Sequence, residues 1–345
     1  MLDRSSSVNS FIDGLSDQWV TGCLSLNRTK RKIPLPHTPE GGFVTICVAA
    51  IAGGDCVYGA SDRMLTSLDI EFEPPTTESK PIKTIPLTNS IVAMIAGDDI
   101  SLLTQLIHDL NFIVSERVKK EPANWWTVSD VAHQYRDLYT FKKNQTIERR
   151  ILSPRGLSYE NFIGRQKEIN EALLMKIDSE IGRFKFPPLS VIFAGVDPSG
   201  AHLFVARDGE ITCEDLVGFA AIGSGYWHAE SYFMAQGHTP NSPIHRGVYL
   251  TYAAKRRAEI APGVGTGIDM FLIGPRPGSY SPIRQDVMSE FEKTYEKARK
   301  SAKKVWENEE GAMKALLAKL SREAEAQAKK QEGQMPEGGN GTPKT

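Results

Sequence analysis

The stretch VTICVAAIAGGDCVYGASDR, residues 44–63, holds two short apolar, β-prone runs separated by a turn sequence. The runs cover residues 44–51 and 56–61, and Gly53-Gly54-Asp55 lies between them. Glycines at such a place supply the positive φ values that a tight hairpin requires. The stretch therefore predicts an antiparallel β-hairpin that leads directly into Asp62.

The same kinds of pattern continue along the chain in a definite order. Further strands are predicted at residues 83–86, 91–96, 189–196, 202–206, 219–222 and 269–273. Apolar residues at helical spacing predict helices at residues 102–110, 128–139, 159–181, 226–236, 244–259 and 286–332. Runs of strands followed by runs of helices favour an α+β fold with antiparallel sheets. Two sheets flanked by helix pairs would form a four-layer αββα sandwich, here with a long C-terminal helix.

Charge and composition exclude several classes of protein. The 345 residues include 41 Lys and Arg against 42 Asp and Glu, a net charge of −1. That balance argues against a strongly basic nucleic-acid binder and against an acidic disordered chain. A hydrophobic content of 40% predicts a substantial core. No stretch approaches the roughly 20 apolar residues of a membrane span, so neither a nucleic-acid nor a membrane partner is expected.

The cysteines and the N-terminus favour a cytoplasmic protein. The four cysteines, at positions 23, 47, 56 and 213, are scattered and form no CxxC pair. Free thiols in a reducing compartment are therefore expected, rather than a disulfide scaffold or a zinc knuckle. The first 18 residues are polar and lack the apolar segment of a secretory signal.

Composition also predicts the domain organisation. Residues 1–42 are mixed and polar, which predicts an N-terminal extension or propeptide. Residues 43–275 carry the strand and helix pattern of one domain, within which residues 141–186 are expected to be a helical insertion. Residues 276–332 are predicted to be a helical extension, because residues 286–332 are rich in Lys, Glu and Ala. Residues 333–345 consist mainly of Gly, Pro and polar residues, a composition that is typical of a disordered tail.

Several common catalytic motifs are absent from the sequence. Gly263, Gly265 and Gly267 miss the spacing of a dinucleotide-binding G-x-G-x-x-G and precede a strand. No phosphate-binding G-x-x-x-x-G-K-[ST] occurs. Gly223-Ser224-Gly225 lacks the glycine spacing of a nucleophile elbow. The seven histidines never pair as H-E-x-x-H or with cysteine, so neither a cofactor nor a metal is expected.

An ordered set of short motifs resembles a proteasome core subunit over residues 43–275. The first half of the set is TICVA at 45–49, VYGASDR at 57–63, KTI at 83–85 and IAGDD at 95–99. The second half is VIFAGVD at 191–197, HLF at 202–204, AAIGSG at 220–225 and VGTGID at 264–269. Proteasome subunits are N-terminal nucleophile (Ntn) hydrolases with an αββα fold. The resemblance therefore implies a proteasome-like threonine protease that assembles as a homo-oligomer of one ring or of stacked rings and acts on a peptide or protein substrate.

The resemblance also assigns roles to single residues. It makes Thr45 the nucleophile, with its own α-amino group as the base once residues 1–44 are removed. A threonine hydroxyl needs such a base, and an α-amino group with a pKa near 8 suits proton transfer at neutral pH. Lys83 would be the activating cation and Asp62 its partner. The remaining roles are support of the amino group by Ser224 and an oxyanion-binding N–H at Gly97.

Three departures from the family pattern keep other interpretations open. Placing Thr45 at the nucleophile position needs one inserted residue in the hairpin turn, and without it Ile46 falls there. Val44 stands where the family usually has the glycine that precedes self-cleavage. The family's Asp-x-x-Ser-Gly becomes a segment in which Glu259 supplies the acid but Pro262 supplies no hydroxyl. There are two alternatives: a noncatalytic structural subunit of a proteasome-like assembly, and an Ntn amidase that acts on small amides.

Overall fold

A computed structural model describes residues 45–67, 70–72, 83–121 and 125–332. The predicted N-terminal extension, the predicted tail and Cys23 lie outside the described residues. The described part is a mixed α and β structure with two five-stranded antiparallel sheets. The prediction of an α+β fold with antiparallel sheets is therefore confirmed.

The first sheet contains the hairpin predicted from residues 44–63. Its strands, in spatial order, are β10 (Phe219–Gly223), β1 (Ile46–Ala52), β2 (Cys56–Ser61), β11 (Asp269–Ile273) and β12 (Ser281–Pro282). Gly53 and Gly54 in the hairpin turn have φ values of 70° and 78°, which glycine adopts without steric cost. The register sets Cys47 opposite Ser61, so the residue after β2 lies beside the start of β1.

The second sheet is built from two hairpins and one added strand. Its spatial order is β5 (Thr84–Pro86), β6 (Ile91–Gly97), β7 (Leu189–Asp197), β8 (Gly200–Arg207) and β9 (Glu210–Cys213). Strand β9 was not predicted, because its four residues are mostly exposed and lack an apolar run. The short strands β3 (Leu65–Ser67) and β4 (Ile70–Phe72), also not predicted, form a separate two-stranded sheet.

Seven α-helices occur within the described residues. They are α1 (Ile100–Lys120), α2 (Val128–Ile147), α3 (Tyr159–Gly164), α4 (Glu171–Arg183), α5 (Tyr226–Ala235), α6 (Ile244–Ala258) and α7 (Gln285–Glu332). Helix α1 begins after Asp99, whose carboxylate accepts a hydrogen bond from Leu102 N at 2.9 Å. Helix α2 begins with a capping box formed by Thr127 and Asp130.

The core consists of three main apolar clusters. They are separate because side chains along each strand point alternately to the two faces of the sheet. One face of the second sheet packs against α1 and α2 through residues such as Phe193 and Leu106. Its other face meets the first sheet, where Met94 and Cys47 belong to one cluster. The opposite face of the first sheet packs against α5 and α6, with Val48 among the buried residues. Successive strand residues point to opposite faces, which explains why each sheet contributes to two clusters.

The single helix predicted over residues 159–181 is wrong. The chain instead forms α3, a short 3₁₀ turn at Gln166–Glu168 and then α4. The break occurs because Asn170 caps α4, its side-chain oxygen accepting hydrogen bonds from the backbone N–H groups of Ala172 and Leu173. Helix α2 is also longer than predicted and continues into a π-helical turn at Glu148–Leu152.

The C-terminal helix α7 packs on the body near its beginning. Met288, Phe291 and Tyr295 surround Tyr252 of α6. Further along, α7 exposes a set of large apolar side chains, namely Val305, Trp306, Met313, Leu316, Leu317 and Leu320. Within the part of the chain that the structure describes, no helix is both long and apolar enough to cross a membrane.

Candidate active site around Asp62

Asp62 lies at the centre of a buried polar cluster. Its Oδ1 accepts hydrogen bonds from Thr45 Oγ1 at 2.9 Å, Ile46 N at 3.0 Å and Lys83 Nζ at 2.7 Å. Its Oδ2 accepts a fourth from Gly265 N at 3.0 Å. The Asp62 residue is 0% exposed. A buried carboxylate is costly unless donors surround it, and these four donors meet that requirement.

The pairing of β1 with β2 places Thr45 beside Asp62. Beyond the last pair of the ladder, Asp62 N donates to Ile46 O at 3.1 Å, which continues the hairpin by one residue. Thr45 directly precedes Ile46, so its hydroxyl reaches the same carboxylate. Thr45 is 4% exposed and Asp62 is 0% exposed, so the two side chains at the centre of the cluster are closed to solvent.

Lys83 reaches the cluster from the second sheet. It directly precedes β5, and its carbonyl accepts a hydrogen bond from Ile95 N of β6 at 2.9 Å. Cys47 of β1 donates its Sγ hydrogen to Ile95 O at 3.4 Å. Since Thr45 Oγ1 and Lys83 Nζ both bind Asp62 Oδ1, the two donors are themselves near neighbours. The ion pair between Lys83 and Asp62 therefore joins the two sheets at the predicted site.

A second buried lysine, Lys255 of α6, lies next to the cluster, on the far side of Gly265. Its Nζ donates to Glu259 Oε1 at 2.7 Å and to Gly265 O at 2.8 Å. Gly265 thus contacts Lys255 through its carbonyl and Asp62 through its N–H. Glu259 also binds Arg256 at 2.8 Å. The predicted acid Glu259 therefore holds Lys255 in place and is linked to Asp62 indirectly, through Lys255 and Gly265.

Burial shifts the pKa values of two groups next to the cluster. Desolvation lowers the pKa of Lys255, an effect that the Glu259 carboxylate opposes. Desolvation raises the pKa of the Cys47 thiol far above its usual range, although the Lys83 ammonium opposes the shift. Burial therefore disfavours the Cys47 thiolate, which is the form of cysteine that acts as a nucleophile.

Ser224 and Gly97, the other two predicted site residues, make no hydrogen bond to the Asp62 cluster within the described residues. The backbone of Gly223, the residue before Ser224, nevertheless passes close to the backbone of Thr45. It lies opposite Ile46 in the sheet, has a φ of 98°, and a Cβ placed on it would lie 2.1 Å from Thr45 O. Ser224 follows in the turn before α5 and is half-buried. Gly97 ends β6, two residues beyond Ile95.

Arg63, which follows Asp62, belongs to a different ion pair. Its guanidinium donates to Asp269 Oδ1 at 2.6 Å, and its side chain is 2% exposed. Asp269 is the first residue of β11, the strand next to β2, so the pair lies across two adjacent strands. Desolvation raises the pKa of Asp269, while Arg63 opposes the shift. The adjacent residues Asp62 and Arg63 therefore pair with different partners rather than with each other.

A second polar cluster, at the turn between β7 and β8, was missed by the sequence analysis. His202 Nδ1 lies 2.7 Å from Asp215 Oδ2, and His202 Nε2 lies 2.8 Å from Ser199 Oγ. The hydrogen bonds thus link a serine to a histidine and the histidine to an aspartate, as in the catalytic triad of a hydrolase. However, the Ser199 hydroxyl donates to Asp197 Oδ1 at 2.5 Å, so His202 must donate to Ser199. Both ring nitrogens of His202 then face acceptors, which favours the imidazolium and argues against a nucleophilic serine.

Replacement of His202 by Gln should reduce stability in a pH-dependent way. The hydrogen bond to Asp215 raises the pKa of His202 above its usual 6.5, against an opposing effect of burial, and Asp197 adds to the rise. A raised histidine pKa stabilises the folded chain below the unfolded value, and this stabilisation disappears as the pH rises through the folded value. We expect the difference in melting temperature between the wild type and His202→Gln to be larger at a pH below the usual histidine pKa of 6.5 than at an alkaline pH.

The exposed histidine of α5 provides the control for this experiment. His228→Gln should leave the melting temperature unchanged at both pH values. A pH-independent difference for His202→Gln would mean that the imidazole acts through packing and not through its charge.

Comparisons with known proteins add no family to this geometry. No protein-family model matches the chain, and a search of the curated proteins finds no significant match. Among the described residues, no group of three or more His, Cys, Asp or Glu side chains is arranged to hold a metal ion. The resemblance to proteasome core subunits therefore rests on the motifs and stays a prediction.

Proposed function

We propose that the chain is a proteasome-like threonine-type hydrolase that cleaves peptide bonds after residues 1–44 have been removed. The observation that carries the proposal is the binding of Thr45 Oγ1 and Lys83 Nζ to the same oxygen of buried Asp62. A nucleophilic hydroxyl next to a lysine that a carboxylate holds is the arrangement expected for this chemistry. The proposal includes the finer fold assignment, a four-layer αββα sandwich of the Ntn type.

The proposed reaction uses the cluster in two steps. The α-amino group freed at Thr45 takes the hydroxyl proton while Thr45 Oγ1 attacks the substrate carbonyl, and the proton passes to the leaving amine. The acyl group is then on Thr45, and water, activated by the same amine, releases it as a carboxylic acid. The Lys83 ammonium lowers the pKa of the nucleophile and stabilises the negative charge that develops, while the Gly97 N–H binds the oxyanion.

Cleavage before Thr45 also changes where its hydroxyl proton goes. In the uncleaved chain the hydroxyl donates to Asp62, and Asp62 is already held by Lys83, Ile46 and Gly265. A new amine on Thr45 offers an alternative acceptor within the same residue. Asp62 would keep its other three donors, so the cluster is proposed to remain intact while Thr45 becomes reactive.

A noncatalytic structural subunit is the second candidate, and a specific observation favours it. Thr45 is 4% exposed, and its hydroxyl is engaged by Asp62. In such a subunit the ion pair of Lys83 and Asp62 would only join the two sheets. Pro262, which lacks the hydroxyl of the family motif, agrees with this candidate as well.

Substitution of Thr45 tests the proposal directly. Thr45→Ala should remove all hydrolysis of fluorogenic peptides, whereas Thr45→Ser should retain part of it because the hydroxyl remains. Thr212→Ala, at the edge strand β9, is the matched control and should have wild-type rates. A wild type that cleaves small aliphatic amides but not peptides would indicate the amidase alternative. Peptide hydrolysis that survives Thr45→Ala would contradict the mechanism.

A ring-shaped or stacked homo-oligomer belongs to the same proposal. Its motivation is the family resemblance, together with the apolar side chains that α7 exposes beyond the body.

A further inference from the structure

A cavity of about 550 Å³ lies between the start of α1, the end of α2 and the segment before β7. The residues that matter for its chemistry are Lys142, Arg149, Arg150, Phe184, Phe186 and Asp99. A volume of several hundred Å³ suits a metabolite-sized ligand. The cavity includes part of the predicted insertion, residues 141–186, for which the proposed hydrolysis has no use.

Three cationic side chains line this cavity without an ion-pair partner among the described residues. They are Lys142, which is half-buried, and Arg149 and Arg150, which are exposed. Among the described residues that line the cavity, Asp99 is the one carboxylate, and its Oδ1 already caps α1 by accepting from Leu102 N. The cavity therefore has an excess of positive charge, which favours an anionic ligand.

The two arginines lie on a helical turn that is anchored by buried residues. Arg149 and Arg150 belong to the π-helical turn Glu148–Leu152, in which Ile151 and Leu152 are buried. Both apolar residues belong to a separate core cluster of the insertion. Arg155, just beyond this turn, binds Glu180 of α4 at 2.7 Å. Because π-turns of this kind often occur at functional sites, the local geometry agrees with a binding role.

Two aromatic rings form the apolar side of the cavity. The ring centroids of Phe184 and Phe186 are 6.5 Å apart, and Phe186 packs edge-on against Tyr139 of α2. Both phenylalanines are half-buried, so part of their surface faces the cavity. A ligand with a flat or apolar body next to its charge would cover this surface.

We propose that this cavity binds a small molecule that carries a phosphate group or two carboxylates beside an aromatic or apolar body. Arginine donates pairs of parallel hydrogen bonds to such oxyanions, and Lys142 adds a point charge. The net charge of −1 for the whole chain argues against a long polyanion such as nucleic acid. The inference does not depend on the cleavage at Thr45.

Titration calorimetry on the full chain at low ionic strength tests the inference with three probes. Phenyl phosphate and phthalate each combine one aromatic ring with two negative charges, and inorganic phosphate lacks the ring. We expect one molecule of phenyl phosphate or of phthalate to bind per chain, and more tightly than inorganic phosphate. The stronger of the two aromatic probes identifies the phosphate or the carboxylate class as the natural ligand.

A pair of double variants makes the result specific to the cavity. Lys142→Gln with Arg149→Gln should weaken binding by about tenfold or more, since two charge-assisted hydrogen bonds are lost. Lys143→Gln with Arg183→Gln removes the same charge from neighbouring residues that do not line the cavity, and should change the affinity by less than about twofold. Absence of saturable binding by either aromatic probe, or equal weakening in both double variants, would overturn the inference.

Discussion

Replacement of Lys83 by Met is expected to reduce peptide turnover to background, a loss of about a thousandfold or more. The Lys83 ammonium lies 2.7 Å from Asp62 Oδ1, the oxygen that also binds the Thr45 hydroxyl. Its removal takes away both the lowered pKa of the nucleophile and the stabilisation of the developing negative charge. Methionine keeps most of the side-chain volume, so the loss would not come from a cavity.

A second substitution at the same position separates charge from geometry. Lys83→Arg keeps the positive charge but replaces a compact ammonium by a planar guanidinium, and it should fail as well. Circular dichroism and the melting temperature show whether each variant is folded. Asp62 keeps three donors in the methionine variant, from Thr45, Ile46 and Gly265, so a folded but less stable protein is expected. Wild-type turnover in either folded variant would remove Lys83 from the mechanism.

Asp62→Asn is expected to cause the largest loss of stability, about 3–5 kcal/mol in the free energy of unfolding. The substitution removes the charge that offsets Lys83, which is 4% exposed and would stay buried without a carboxylate. One side-chain atom also changes from an acceptor to an NH₂ donor, and Gly265 N–H or the donors at Oδ1 then face a donor. Chemical denaturation of wild type and variant measures the effect.

Asp137→Asn is the matched control for this experiment. Asp137 also pairs with a neighbouring cation, Arg136, at 3.0 Å, but both side chains are largely exposed. Its removal should change the free energy of unfolding little, because exposed ion pairs contribute little. Equal effects of the two substitutions would show that the Asp62 cluster is not needed for the fold.

The hairpin around Asp62 could be predicted from the sequence because its determinants are local. Gly53 and Gly54 adopt the positive φ values that the turn demands, and strand β2 covers the predicted residues. The meeting of Thr45 with Asp62 follows from the hairpin register alone. Lys83 is different, since it arrives from the other sheet, and only the resemblance to proteasome subunits indicated that it would lie there.

Other parts of the molecule depend on contacts that a local pattern does not show. The residues of the helix predicted over residues 159–181 keep helical spacing, yet Asn170 caps a new helix within them. The Ser199 and His202 cluster is brought together by the β7–β8 turn and by Asp215 in the loop after β9. The buried Lys255 is paired with Glu259, one helical turn later. The sequence indicated Glu259 only as an acid of the site and gave no sign of this ion pair.

The state of the N-terminus tests the central claim most directly. Intact-mass measurement and N-terminal sequencing of the purified wild-type protein should show a chain that begins at Thr45 and has lost the mass of residues 1–44. Thr45→Ala should keep these residues, because the proposed cleavage uses the Thr45 hydroxyl. A wild-type chain that retains an intact N-terminus and still hydrolyses peptides would contradict the account, and a retained N-terminus without hydrolysis would indicate the noncatalytic subunit instead.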